Sequence, residues 1–349
     1  VRAIIYTETG GPEVLRLVER PVPEPGPGEV RVRVVLSAVN PSDWKFRADE
    51  SGPTFPEVVP NQDGSGVVDA VGAGVDDLRP GDRVWIWEAA WQRPDGTAQE
   101  FVVLPARQAV RLPAEVSFEV GAALGVPALT AHRCLTVLDS TVLDNTVGES
   151  GAGRLAPGAL AGRTVLVAGG AGAVGNAAIQ LARWAGATVV TTVSGPEKAA
   201  LAASAGAHHV VNYREGDAAE EIRRVAPCGV DLVVEVAPVV NLDLDLAVLA
   251  PAGTVAVYAV DGGPPEVLLP LGPVAAGNLR YQGVLVYTVP EAVKLAAVED
   301  VSAAVAAGAL RVGEEAGLPI VRFPLERAAD AHAAVEAGAV GKVIIEVGA

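Results

Sequence analysis

The chain reads as an α/β protein in which a parallel, doubly wound sheet follows a mainly β N-terminal region. Three observations predict this. Residues 1 to about 124 carry short apolar runs with the two-residue period of half-buried strands. From 125 to 288 strand-like and helix-like segments alternate, the pattern of a parallel sheet covered on both faces. A glycine-rich turn joins the first strand of that second region to its first helix.

The elements follow in order. The opening VRAIIYTETGG has acids close behind its apolar residues and reads as a first strand, not a signal peptide. PVPEPGPGE (21–29) is a proline-rich turn. EVRVRVVLSAV (29–39) alternates strictly, and GSGVVDAVGAGV (64–75) and GDRVWIW (81–87) are apolar runs punctuated by glycine. In the second region the strand candidates are TVLVAG, TVVTTV, HHVVNY, VDLVVEV, GTVAVYAV and LRYQGVLVY. Helix-like segments such as AVGNAAIQLARWAG and PEKAALAASAG separate them, and six such strands match the doubly wound dinucleotide fold. From about 289 come two helix-like segments and a last strand, GKVIIEV, expected to return to the first domain. The expected domains are therefore 1–124 with 289–349, and 125–288. The polar, glycine-rich stretch 136–163 repeats TVLD and reads as a surface loop or a frayed helix.

Composition narrows the functional classes. The chain has 349 residues, half of them hydrophobic, without an apolar run long enough to cross a bilayer, and it is expected to be soluble and cytoplasmic. A formal net charge of −16 with no basic cluster argues against nucleic acid or an anionic membrane as the main partner. A local set of backbone N–H groups can still bind an anionic cofactor against that field. Cys134 and Cys228 make neither a disulfide framework nor a structural zinc site.

GAGAVG (170–175) fits G-x-G-x-x-G directly after a strand and at the start of a helix. In that motif Gly170 permits the tight turn, Gly172 lets the backbone approach a pyrophosphate, and Gly175 lets helix and strand pack closely. Ala173 and Val174 open the helix, whose unpaired N–H groups and dipole favour the anion.

About 20 residues beyond such a motif, an acid binds the ribose of NAD. Here TTVSGPEK places Ser194 in that region and no acid before Glu197. A hydroxyl can donate to a 2′-phosphate that a carboxylate would repel, and Lys198 supplies positive charge one helical turn on. Tyr213, at the end of the third strand, can offer its phenol to the same phosphate. The expected cofactor is NADPH (NADP+). A plain N-cap serine beside a solvated lysine is the alternative.

Together AVNPSDWKFR (38–47), PNQDGSGVVDAVGAGV (60–75), RPGDRVW (79–85), GVPALTAH (125–132), AGGAGAVGNAAIQLA (168–182), GAHHVVNYRE (206–215), VNLDLDLAVLAPAGTVAVY (240–258) and GAVGKVIIEV (338–347) resemble the zinc-free quinone oxidoreductase, zeta-crystallin-like branch of the medium-chain dehydrogenase/reductases. The resemblance covers nearly the whole chain. It implies a GroES-like, mainly β catalytic domain built from both chain ends and a Rossmann domain, with the cofactor in the cleft they form. It also implies a homodimer.

Lined up by motif with zinc-dependent relatives, Asn40, Gln62 and Val126 stand where Cys, His and Cys ligands would be. Valine cannot bind zinc and neutral amides bind it poorly, so no metal is expected. Without zinc to draw off a hydroxyl proton, an unactivated alcohol is a poor substrate, whereas a quinone or conjugated enone is already electrophilic.

The resemblance places Asn40 and Ser42 at a strand end by the nicotinamide, with Asn40 expected to donate to a substrate oxygen. Some relatives have a tyrosine where Lys45 stands, and Lys45 either donates to a developing oxyanion or is solvated. Gln62 shares a turn with Asp63, which is expected to be scaffold paired with Arg47 or Lys45. Thr130 is expected by the nicotinamide, and Val126 and Pro127 are expected to pack near its ring. Tyr258 and Val286 are expected to end the fifth and sixth strands at the ligand crevice. Trp85, Trp87 and Trp91 read as core, with a flat wall for a planar substrate as the alternative.

The expected activity is NADPH-dependent, zinc-independent hydride transfer to a quinone. Reduction of an enone or enoyl C=C bond, or low-turnover nucleotide binding, are the alternatives.

Overall fold

The computed structural model describes residues 1–137, 153–261 and 266–348. They fall into two compact units, Val1–Val126 with Pro319–Ala349, and Pro127–Leu318.

The first unit opens with β1 (Arg2–Ile5) and β2 (Arg16–Glu19), an antiparallel pair. Then come β3 (Glu29–Val39), α1 (Pro41–Arg47), β4 (Asp63–Val71), β5 (Arg83–Ile86), β6 (Phe101–Pro105), β7 (Ala109–Arg111) and the start of α2 (Phe118–Thr136). The strict alternation of β3 has its physical meaning here: Val30, Val32 and Val34 point into the core and their neighbours are half-buried. The helical run of α2 breaks at Gly125, directly before the end of this unit.

The second unit holds β8 (Thr164–Ala168), α3 (Ala173–Trp184), β9 (Thr188–Val193), α4 (Pro196–Ser204), β10 (His209–Asn212), α5 (Ala218–Val225), β11 (Val230–Glu235), α6 (Pro238–Val248), β12 (Leu249–Val257), α7 (Leu271–Gly277), β13 (Arg280–Gly283) and α8 (Glu291–Ala306). Among the described residues its sheet is six-stranded and all parallel, in the order β10-β9-β8-β11-β12-β13. The order reverses between β8 and β11, the switch point outside which such sheets bind ligands.

The chain returns to the first unit with β14 (Ile320–Pro324), α9 (Ala328–Glu336) and β15 (Lys342–Glu346). The sheet order there is β14-β15-β3-β4-β5-β7, with β6 also on β3. Strand β3 pairs β6 over Glu29–Arg33 and β15 over Leu36–Val39.

Two expectations change. The return comes at Pro319, not at residue 289, because α8 is tied into the second unit. Its buried Asp300 accepts hydrogen bonds from His132 Nε2 at 2.8 Å, from Arg154 at 2.9 and 2.7 Å and from the Leu155 N–H at 2.7 Å. The sixth strand stops at Gly283, where its partner β12 runs out at Val257, and Val286 instead starts a buried 3₁₀ turn. Of the segment 136–163, residues 138–152 lie outside the described residues.

Candidate functional site

In the second unit the glycine turn sits at the C-terminal end of β8. The left-handed residue is Gly169, at φ 71°, rather than Gly170 as the motif suggested. Gly170 is required for a different reason: a Cβ there would lie 2.1 Å from Thr191 Oγ1. A Cβ on Gly175 would lie 2.4 Å from the Gly169 carbonyl oxygen, so α3 packs against the turn as the motif requires. Gly172 is exposed and is the N-cap of α3, with no acid in the first helical turn. A Cβ at Gly172 would meet nothing closer than 3.4 Å, so the space beside it is open. Ala173 and Val174 begin the helix behind it. The early N–H groups of a helix lack intrahelical acceptors, and Gly172 brings no side chain to cap them. This open, donor-lined cradle fits a pyrophosphate.

The same end of the sheet gathers the residues expected at a 2′-phosphate. Gly169 and Gly170 donate their N–H groups to Thr192 O at 3.1 and 3.3 Å, which ties the turn to β9. Ser194 follows the last residue of β9, and Tyr213 follows the last residue of β10. Those last residues, Val193 and Asn212, are register partners, and the Tyr213 N–H donates to Val193 O at 3.1 Å. Lys198 is exposed in the first turn of α4. Tyr258 directly follows β12, its N–H donating to Glu235 O at 3.0 Å, and Thr130 is buried in α2.

In the first unit Asn40 caps α1 and is buried. Its backbone N–H donates to Asp43 Oδ2 at 2.6 Å, its Nδ2 donates to Asp63 Oδ2 at 2.7 Å, and its Oδ1 accepts from Lys342 Nζ at 2.5 Å. The other Asp43 oxygen accepts the Gln62 N–H at 3.2 Å. Asp63 also accepts the Val126 N–H, 2.9 Å from each oxygen. Burial pushes the Asp43 carboxyl up to about 7, with Asp63 adding to the rise. Burial likewise raises Asp63 and lowers Lys342, and the attraction of the opposite charges works against both shifts.

The hydrogen-bond partners of Asp63 are Asn40 and Val126, in place of the expected Arg47 or Lys45. Arg47 lies in the last turn of α1 and reaches α9, where its Nη2 donates to Glu336 Oε2 at 2.8 Å. Lys45 is exposed, its Nζ 5.8 Å from the Trp44 ring centroid. Ser42 is half-buried in the first turn of α1. Sequence reasoning passed over Asp43 and Lys342. The signal for Asp43 was an acid three residues after a capping Asn-Pro, and for Lys342 a lone lysine heading an apolar strand.

Asn40, Gln62 and Val126 do not form a zinc donor set. Both ends of the Asn40 amide are bound, Gln62 Oε1 accepts the Ala90 N–H at 3.1 Å, and Val126 has no donor atom in its side chain. Among the described residues no three His, Cys, Asp or Glu side chains gather into a metal-binding group.

Beside this cluster the first unit has a pocket of about 220 Å³, lined among others by Tyr6, Phe46, Phe55, Asn61, Gln62 and Trp91. The Phe46 and Trp91 ring centroids lie 6.1 Å apart. Trp85 and Trp87 are buried in the core, and Trp91 lines this pocket.

The alcohol dehydrogenase GroES-like domain family matches residues 26–114, and the zinc-binding dehydrogenase family matches residues 173–303. The quinone oxidoreductase of Lama guanicoe is 32% identical over 357 residues, covering 99% of this chain and 97% of its own. Among solved structures, an NAD-dependent alcohol dehydrogenase is 32% identical with a TM-score of 0.84, covering 100% of both chains. A mycobacterial protein complexed with NADPH is 32% identical with a TM-score of 0.79, covering 99% of both. With its glycine turn at the head of a parallel sheet, its mainly β unit built from both chain ends and this near-complete likeness, the chain belongs to the quinone oxidoreductase family of the medium-chain dehydrogenase/reductases.

Proposed function

We propose that this protein is an NADPH-dependent quinone oxidoreductase that works without zinc. The observation that carries the reading is the replacement of a zinc donor set by a clamped amide, Asn40 between Lys342 and Asp63. Such a site can hydrogen-bond an acceptor oxygen, but it cannot acidify an alcohol as a metal does.

Bound NADPH supplies a hydride. Gly170, Gly172, Ala173, Val174 and Gly175 would hold its pyrophosphate, and Ser194, Lys198 and Tyr213 its 2′-phosphate. Val126, Thr130, Tyr258 and Val286 would contribute the remaining cofactor contacts. On the acceptor side Asn40 donates to the quinone oxygen, with Ser42, Lys45 and Gln62 as further polar neighbours. The pocket lined by Phe46 and Trp91 would take a planar ring. Hydride and one proton convert a quinone to a hydroquinone.

The NAD-dependent alcohol dehydrogenase neighbour gives NADH a specific claim as the cofactor, and Ser194 and Lys198 argue against it. The resemblance also supports a homodimer and a cytoplasmic setting. Among the described residues no helix is long and apolar enough to cross a membrane.

NADPH oxidation measured with a naphthoquinone, an enone and an enoyl thioester, each repeated with NADH, tests the reading. Fastest turnover with NADPH and the naphthoquinone is expected. Preference for the enone or enoyl thioester would move the substrate assignment, and rates equal to the enzyme-free blank throughout would overturn it.

A further inference from the structure

Strand register explains how a lysine 302 positions away comes to touch Asn40. Antiparallel pairing sets Val343 against Val39, so the preceding residue, Lys342, faces the residue that follows β3, Asn40. Lys342 is 2% exposed and Asn40 is 2% exposed, so this contact is made away from solvent. An ammonium has donors and no acceptor, whereas an ionised carboxylate has acceptors and no donor. The carboxamide between them therefore has one orientation that satisfies both, with Oδ1 toward Lys342 at 2.5 Å and Nδ2 toward Asp63 at 2.7 Å. The opposite flip would put an N–H group against the ammonium and a carbonyl oxygen against the carboxylate.

Each arm of this arrangement is itself held. Asp63 is fixed by the Val126 N–H on both of its oxygens. The Asn40 backbone is fixed by Asp43. Attraction to Asp63 and Asp43 opposes the loss of the Lys342 charge that burial alone would favour.

We propose that Lys342 is a positioning residue: acting opposite Asp63, it locks the Asn40 carboxamide in one flip and leaves the second Nδ2 hydrogen as the donor offered to the quinone oxygen. The proposal rests on the reading that Asn40 meets the acceptor. An amide free to rotate would present that donor only part of the time, and a displaced donor loses much of its effect on the developing negative charge.

A double-mutant cycle tests it, with kcat for the quinone, KM for NADPH and Tm measured on each protein. Lys342→Met and Asn40→Ala are each expected to lower kcat about 10–100-fold with little change in the KM for NADPH. The double variant is expected to fall no further than Asn40→Ala alone. If Lys342→Met fails to fold because two carboxylates lose their counter-charge, Lys342→Met/Asp63→Asn removes charge of both signs. It enters the same cycle with the same expected loss. Wild-type kcat in the Lys342 variants beside a depressed Asn40→Ala overturns the positioning role alone, and so does a full further loss when Lys342→Met is added to Asn40→Ala. Wild-type kcat in Asn40→Ala overturns the placement of Asn40 at the acceptor, and the positioning role with it.

Discussion

Gly125 lies so close to Asp63 that a Cβ on the glycine would fall 1.9 Å from Asp63 Oδ1. The carboxylate occupies the space where a side chain would be, and from there it accepts the Val126 N–H. Gly125→Ala must push Asp63 away from both Val126 and Asn40. Overpacking of this kind costs about 1–3 kcal/mol. We expect a lower Tm by thermal melting together with a lower kcat for the quinone. A variant with unchanged Tm and kcat would show that the carboxylate can move without consequence.

Lys198→Ala tests the cofactor preference. The lysine is exposed, so its charge is screened and its contribution is modest. We expect the KM for NADPH to rise about 5–10-fold, with little change in the KM for NADH. Equal effects on the two nucleotides would count against a 2′-phosphate at this strand end.

Trp91→Ala tests the pocket of the first unit. Contacts with one aromatic ring are worth about 0.5–1.5 kcal/mol, or about 2–12-fold in affinity. Steady-state kinetics should show the KM for a naphthoquinone raised by that factor and the KM for NADPH unchanged. An unchanged quinone KM would place the acceptor elsewhere.

His332 gives a pH dependence of definite sign. It is fully buried, and its Nε2 pairs with Asn61 Oδ1 at 2.9 Å. Burial, with Arg47 adding to it, pushes its pKa down to about 3 from an ordinary 6.5. Between these values the unfolded chain binds the proton and the folded one does not, so stability falls as pH falls below 6.5. The slope from this one group is up to about 1.4 kcal/mol per pH unit. Asp43, raised in the fold, acts in the opposite direction below about 7, so the comparison has to be made between variants. His332→Gln, which keeps a donor for Asn61, should lose less stability than the wild type between pH 6.5 and 4.5 in denaturant titrations. Parallel losses would refute the assignment.

Much of the fold was legible because its signals are local. The alternation of EVRVRVVLSAV becomes β3 with the same ends, and the helix begun at Ala173 is α3. The sixth strand was overestimated because an apolar run does not reveal where its partner ends, and β12 ends at Val257. The extent of the second unit was underestimated because Asp300 is bound by His132, Arg154 and Leu155, all far away in sequence. The site shows the same division. The glycine turn is a contiguous motif, although the left-handed residue proved to be Gly169. Lys342 reaches Asn40 only through the β3–β15 register, which no local pattern carries.

The two N–H groups that Gly169 and Gly170 give to Thr192 O have a kinetic consequence. Both bonds are made within the protein, so the shape of the turn rests on β9, and a nucleotide held there would have little chain to order. With the phosphates seated on this turn as proposed, nucleotide uptake is expected in a single concentration-dependent phase, without a slow loop-closing step at that end of the sheet.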